Sequence, residues 1–463
     1  MKNKSAILAL PFLLFASTSL NLMAQNEGSV VTATGRGSIA TSTVTDYQAL
    51  NINPANLGLK DGPTFSFGLA ELNLSLYSSA LNSLDFKMLR QDPQGFSQQY
   101  NNAQIAQKFA GARNSFDFNL MPLGLSFMIP KVGGFALSIR QNISFTSYMN
   151  SGLSNLLFNG FHYTDYIDTF IVIPGGDTIG LASNPISASQ LFDSSRISFS
   201  ATTDINFGYG RELYSNDNLS IYGGIGLQYI IGWAMIDAGA KDNTLKAVSA
   251  FTPLIDISFS SVPNPSLDTS GQLVPAGKGF GIDLGTTLKT GIFSAGISLT
   301  QLGSIKWKSN VYQIADFTID TVDFTGLDST MFNSNINLVS MSGAALVKEA
   351  LPTKLHLGLS VEPIENLRAG LDLTIPLNDA AGNLSKPYLG LGGEYTLFNF
   401  LTVSSGVTMG GNYRVNVPFG IRIFIGKNQK GYEFALATRD ITTFLGAKRP
   451  NLSIGLAALR FKF

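Results

Sequence analysis

Few residues in this chain have the types and spacing for catalysis. The densest group is "NGFHYTDYID", residues 159–168, where His162 lies close in sequence to Asp165 and Asp168. A His–Asp pair is what many hydrolases use to activate a nucleophile. The companion signal is missing, because no Gly-x-Ser-x-Gly elbow occurs. The simpler reading is a solvated histidine in a loop. Asp316, Asp320, Asp323 and Asp328, in "DFTIDTVDFTGLD", offer carboxylates to a calcium ion, but their spacing matches no standard calcium loop. There is no P-loop, no His-x-x-x-His and no EF-hand pattern. No catalytic residue, metal site or cofactor is assigned, and the expectation is a protein that is not an enzyme.

Composition points toward a lipid environment. Charged residues are 13% of the 463, about half the ~25% usual in soluble proteins. Glycine (47) and phenylalanine (33) are abundant, while basic and acidic residues balance at 31 each. No basic field exists to hold nucleic acid. The start, "MKNKSAILALPFLLFASTSLNLMAQ", has Lys2 and Lys4 before a short apolar run. This reads as a signal peptide over 1–24, cut after Ala24. There is no cysteine, so disulfides, a lipoprotein anchor and thiol chemistry are excluded. No later run is long enough for a transmembrane helix. An exported chain of this kind is either soluble or a closed membrane barrel, since only helices and barrels satisfy their backbone in lipid.

Period-two alternation favours the barrel. Phe135, Leu137, Ile139, Ile143 and Phe145 alternate with Ala136, Ser138, Arg140, Asn142 and Ser144. Each such segment has one apolar and one polar face. Fourteen can be placed, near 63–77, 115–130, 133–148, 195–210, 219–232, 279–290, 292–302, 353–361, 366–376, 386–396, 401–409, 416–425, 432–438 and 451–463. Short connections alternate with generally longer ones, the pattern of an outer-membrane barrel with short periplasmic turns and long outside loops. Residues 249–261 break the count if taken as a strand, so they are assigned to the 233–278 excursion. Segments within 80–110 read as short loop helices. The fold class predicted is therefore all-β, a transmembrane antiparallel barrel of about fourteen strands.

The polar phase supplies candidate lumen residues: Arg140, Asp204, Asn206, Asp283, Arg368, Asp372 and Arg422, with structural pairing across strands as the simplest role. His356 falls in the same phase. Tyr77, Tyr148, Tyr209 and Tyr229, near strand ends, suit interfacial girdles. The chain ends on an alternating strand at Phe463, an aromatic end suited to the outer-membrane barrel assembly machinery, and the lipid bilayer is the first expected partner.

A fourteen-strand barrel is too wide for its own side chains to fill. The segment available to occupy it is 25–62, read as a plug or hatch preceding a barrel at 63–463. Within it, "TDYQALNINPANLG" carries Asp46, Asn53, Pro54, Ala55 and Asn56. Asn and Asp bond their own backbone and Pro sets φ, which suits a fixed corner without a strand partner. The stretch resembles the Asn-Pro-Ala motif near the mature N-terminus of FadL-like long-chain fatty-acid transporters, the TodX group. "KGFGIDLGTTLK", residues 278–289, is similar to a strand common in outer-membrane barrels of Bacteroidota, whose members share the early "NPANLG". The resemblance implies fourteen strands, an N-terminal hatch and transport. The long polar loops at 149–194 and 303–352 depart from the transporters and show no apolar pair for lipid capture.

Two functions remain open on the sequence. One is passive uptake of a hydrophobic or small amphipathic molecule through a plugged lumen. The other is a non-transporting barrel partner in a secretion or surface-attachment complex, with the long loops as the interface.

Overall fold

The computed structural model describes residues 31–92, 99–172, 178–255, 262–323, 341–427, 430–448 and 451–463. The leader expected at 1–24, the hatch residues 25–30, Asp328 and residues 256–261 lie outside the described residues.

Fourteen strands form the barrel. They are β1 Phe65–Ser78, β2 Arg113–Ile129, β3 Gly133–Tyr148, β4 Arg196–Ser215, β5 Ser220–Lys241, β6 Gly277–Thr290 and β7 Phe293–Trp307. The second half is β8 Lys354–Ile364, β9 Leu367–Pro376, β10 Tyr388–Leu397, β11 Leu401–Gly410, β12 Phe419–Lys427, β13 Lys430–Thr438 and β14 Asn451–Lys462. Each pairs antiparallel with the next, and β14 closes on β1 through Ser66↔Lys462 to Tyr77↔Asn451. Closure leaves no sheet edge, so every strand's backbone groups face a partner.

The alternation has a direct physical outcome. In β6, Asp283 and Thr287 are buried inside while Phe280, Ile282, Leu284 and Leu288 are exposed outside. The outer face is thus a band of large apolar side chains. Tyr209 and Tyr229 lie on it against Phe135 and Phe280. Tyr77 does not: it is buried in the lumen, edge-on to Tyr413. The reason is Ala70, which takes φ +55° and reverses the inward phase of β1. Before it Ser66 points inward, and after it Glu71, Asn73, Ser75 and Tyr77 do.

Tight turns occupy one end. The β10–β11 turn has three residues between the pair Leu397↔Leu401, and the first two, Phe398 and Asn399, both have positive φ. The opposite end carries the long connections. β5 runs on to Lys241 and folds back as a hairpin over Thr244–Phe251, pairing Ala234↔Phe251. Residues 249–251 are therefore strand, in an extension of the barrel wall.

The long loops have cores of their own. Helices Ser83–Gln91 and Asn102–Phe109 sit in the first loop, and Phe109 packs on Phe158 from the helix Ser151–Asn159 of the second. Leu156, Phe161, Ile167 and Leu191 pack with Ile319 and Val322 of the fourth. A small sheet joins the same two loops, with Thr178–Ser187 between Thr318–Val322 and Thr169–Val172. Beside it, Ser189 donates from its hydroxyl (2.5 Å) and its backbone N–H (3.0 Å) to Asp316.

The Ser189 hydroxyl bond holds the Asp316 carboxyl below its ordinary range. A depressed carboxyl stabilises this contact above the unfolded pKa and loses that stabilisation as pH falls through the folded value. Hydrogen exchange around Ser189 should therefore be faster in Asp316→Asn than in the wild type at about pH 6. The difference should vanish well below about pH 4. Equal exchange at both pH values would show that the bond does not hold the loops together.

Candidate functional site

The segment 31–64 runs through the lumen, and its local structure follows from its residue types. It holds a short helix Val31–Gly35 and two 3-10 turns, Asp46–Ala49 and Pro54–Gly58. Pro54 opens the second turn, where its missing N–H costs nothing. Asn53 caps it, its Oδ1 accepting from Ala55 N–H at 3.1 Å.

The remaining Asn atoms bind the hatch to itself and to the wall. Asn53 Nδ2 donates to the Thr41 carbonyl (2.8 Å) and to Thr287 Oγ1 of β6 (2.9 Å). Asn56 Nδ2 donates to the same carbonyl (3.1 Å), and its Oδ1 accepts from the Thr287 hydroxyl (2.6 Å). Thr287 lies in "KGFGIDLGTTLK", so the two stretches singled out in the sequence meet in space. Glycines make this approach possible. A Cβ on Gly285 would overlap Asn53 Oδ1, and one on Gly224 would overlap the Pro54 carbonyl group. Ala55 is fully buried beneath them.

On the other side of the lumen the hatch joins a continuous chain of alternating charges. Asp46 of the hatch pairs with Arg460 of β14, and Arg460 pairs with Glu433 of β13. Arg422 of β12 bridges Glu433 (3.6 Å) and Glu394 of β10 (3.5 Å). Glu394 then pairs with Arg36 of the hatch at 3.1 Å. The chain thus starts and ends on the hatch. Lys462 branches onto Glu433 (2.7 Å), and Arg368 branches onto Glu394 (2.9 Å) and Glu362 (2.6 Å). Between these anchors Tyr47 and Gln48 donate to Glu71 (2.5 and 2.8 Å), and Ser42 donates to Ser360 (3.0 Å). Asp372 accepts from the Ala40 and Thr41 backbone N–H groups (2.7 and 3.2 Å) and from the Thr41 hydroxyl.

Toward the long loops the lumen is hollow. A chamber of about 70 Å³ is lined by Ser38, Arg140, Asp204, Gln301, His356 and Asp372, among others. A second, of about 60 Å³, shares Asn142, Asp204 and Gln301 with it and adds Ile230, Met235, Ile305, Trp307 and Leu351. Arg140 and Asp204 are register partners on β3 and β4, and Arg140 also reaches the Leu50 carbonyl (3.4 Å). Asp204 accepts from Asn142 (2.6 Å) and Thr202 (2.9 Å). Asp283 accepts from Gln228 (2.8 Å) and from the N–H of Gln301 (2.7 Å), whose positive φ marks a bulge in β7. Asn206 donates to Ser138 at 3.3 Å. His356 sits between Thr300 and Thr374, 3.1 Å from each.

The lumen candidates therefore separate into two groups. Arg140, Asp204 and Asp372 line the first chamber, with Asp283 fixing its wall. Arg368 and Arg422 belong to the charge chain. Hydrogen bonds from hydroxyl, side-chain amide and backbone N–H groups hold Asp204, Asp283 and Asp372. Reading the sequence passed over Arg36, Glu71, Glu394, Glu433, Arg460 and Trp307. The His162 group gathers no chemistry: His162 is exposed beside Phe161, and Asp168 accepts from the Ser183 hydroxyl at 2.8 Å.

Arg460 is the residue whose loss should cost most. Arg460→Met would leave Asp46 and Glu433 buried beside a missing partner, a destabilisation of about 3–5 kcal/mol. Urea unfolding of the barrel in detergent measures it. A loss below about 1 kcal/mol, the worth of an exposed pair, would show that the chain carries little.

Solved structures similar in shape include the Ralstonia pickettii toluene transporter TbuX, with 13% identity, 94% of this chain and 98% of that one covered, and a TM-score of 0.47. A Pseudomonas aeruginosa FadL homologue has 11% identity, covers 96% and 100%, and scores 0.44. A deltaS2S3 mutant of the monoaromatic hydrocarbon channel TodX has 12% identity, covers 96% and 100%, and scores 0.48. The chain is thus distantly similar in structure to the FadL and TodX barrels. No curated protein matches it in sequence. A family model described as "Family of unknown function (DUF5723)" matches residues 54–429, most of the chain, and the protein belongs to that family.

Proposed function

We propose that the protein is an integral outer-membrane barrel that admits hydrophobic or small amphipathic molecules passively, with the hatch as its gate. The observation that carries this reading is the division of the lumen. The hatch fills one part, and two adjoining chambers lie on the loop side of it. The exposed apolar outer band supports the membrane setting, since lipid-facing strand positions must be apolar. The expected partnership with an assembly machinery is supported by an exposed Phe463, whose ring centroid lies 5.8 Å from that of Phe65.

Polar bonds hold much of the gate, and these can be exchanged for water as the site hydrates; apolar contacts seat it as well, with Leu50 and Leu57 packed with Met121 and Ala136, and Val31 with Ala435 and Ala437. The Ser42–Ser360 contact provides a direct test, because the chain has no native cysteine. Ser42→Cys/Ser360→Cys should form a hatch–wall disulfide on oxidation. Liposomes carrying the reduced protein should swell in iso-osmotic methyl or phenyl glucoside, and oxidation should slow swelling at least fivefold. Equal swelling in both states would show that the hatch is not the gate. Swelling in neither state would remove the uptake reading.

One observation favours the alternative, a partner in a surface assembly. The edge strand Thr169–Val172 is exposed at all four residues, including Phe170, Ile171 and Val172. Such an edge is a template for an added strand. Loss of swelling in both states would direct attention there.

A further inference from the structure

We propose that Lys278, Lys306 and Lys348, on the outer wall, bind the phosphates of an anionic lipid in the leaflet that meets the long-loop end. The site goes beyond the uptake reading and rests only on its membrane setting. Lys278 of β6 is the register partner of Lys306 of β7. Lys306 is in turn the partner of Lys348 in the short strand Val347–Ala350. The three thus stand in one row across three adjacent strands, and all are exposed. Neighbouring strands lie about 4.8 Å apart, so the row spans about 10 Å.

Strand phase fixes which way they point. In β6, Lys278 shares the outward phase of Phe280, Ile282 and Leu284. In β7, Ile305 and Trp307 are buried with Val347, so Lys306 and its partner Lys348 face outward. Just past the end of β7, Lys308 is exposed as well. Phe280 is the next outward residue below Lys278, about 7 Å along the strand. Two aromatic residues mark the same level of the wall. Tyr229 packs on Phe280 with ring centroids 5.1 Å apart. Trp233, two residues past the Lys278 partner Ile231, donates from its indole N–H to Thr203 at 2.8 Å. Trp and Tyr favour the membrane–water interface. The ammonium groups therefore stand where the apolar band ends and lipid headgroups begin.

Charge names the ligand. Like charges directly opposite each other in a sheet destabilise it, and this row contains two such pairs. Among the described residues no carboxylate pairs with any of the three lysines. The outward positions of β6, β7 and Val347–Ala350 carry no acid. Glu349, next to Lys348 in sequence, lines the second chamber and pairs with Lys246 at 2.7 Å. A row that repels itself is balanced by an anion laid across it. A lipid with phosphate in its headgroup supplies that anion, and its acyl chains meet Phe280 and Ile282 below. The lysine stems can lie along apolar surface while their heads stay at the headgroup level. A zwitterionic headgroup brings no net charge to the row, and free phosphate brings no chains to the band.

Native mass spectrometry of the detergent-solubilised protein, titrated with cardiolipin or phosphatidylcholine, tests this. Cardiolipin, with two phosphates, should bind at least tenfold tighter, and a large excess of inorganic phosphate should not displace it. Lys278→Gln/Lys306→Gln/Lys348→Gln should weaken cardiolipin at least tenfold. Lys87→Gln/Lys241→Gln/Lys386→Gln removes as much charge from exposed lysines at the same end of the barrel, and should weaken it less than twofold. In phosphatidylcholine nanodiscs the first variant should melt no lower than the wild type, because it relieves repulsion. Added cardiolipin should then raise the Tm of the wild type and not that of the variant. Equal binding of the two lipids, equal loss in both variants, or displacement by inorganic phosphate would overturn the proposal. So would a lower Tm for the first variant without anionic lipid, which would make the lysines part of the fold. Cardiolipin preference without liposome swelling leaves the site standing and removes uptake, and swelling without the preference does the reverse.

Discussion

A charge taken out of water must find an opposite charge or a full set of hydrogen bonds. The hatch carries Arg36 and Asp46, and both are buried in the lumen. Neither is satisfied by an opposite charge within the hatch. Arg36 depends on Glu394 of the wall and Asp46 on Arg460. The wall depends on the hatch at other carboxylates: Glu394 and Glu433 keep wall partners of their own, whereas Glu71 and Asp372 accept hydrogen bonds from Tyr47, Gln48, Ala40 and Thr41 of the hatch. The barrel and its occupant thus form one polar unit, and removing the hatch leaves these two carboxylates without those donors.

The same economy governs the rest of the lumen. Where the hatch turns sharply, at Asn53–Asn56, the wall presents glycines and Thr287, so backbone meets backbone and side-chain amides do the bonding. Where the hatch ends, the wall presents polar side chains around empty volume. The chambers lie beside the bulge at Gln301, whose N–H is turned onto Asp283. Hatch, bulge and loop cores together decide which part of the lumen is closed and which is hollow. They also decide that whatever occupies the hollow part meets hydrogen-bonding groups as well as apolar ones.

Much of this was legible in the sequence for a simple reason. A strand with lipid-like surroundings on one side and polar contents on the other must alternate, and that rhythm counted fourteen strands. What escaped is what breaks the rhythm. A strict two-residue count along β14 cannot place Arg460: Ser453, Gly455 and Ala457 face inward, yet so do Arg460 and Lys462. The reversal in β14 lies beside the one at Ala70, which brings in Glu71 and Tyr77. Backbone reversals of this kind carry no residue signature, so the charge chain stayed hidden although each member is a visible charge. Trp307 was hidden differently. It lies beyond the expected end of its strand, because β7 continues above the bulge to residue 307.

The central claim is that the hatch, held by this shared set of charges, closes the lumen. Single-channel conductance in planar bilayers tests it directly, comparing the full protein with one lacking residues 31–58, after each is shown by circular dichroism to retain its barrel. The account predicts brief, small openings from the full-length protein and a stable, large conductance on deletion. The same conductance from both proteins would contradict it.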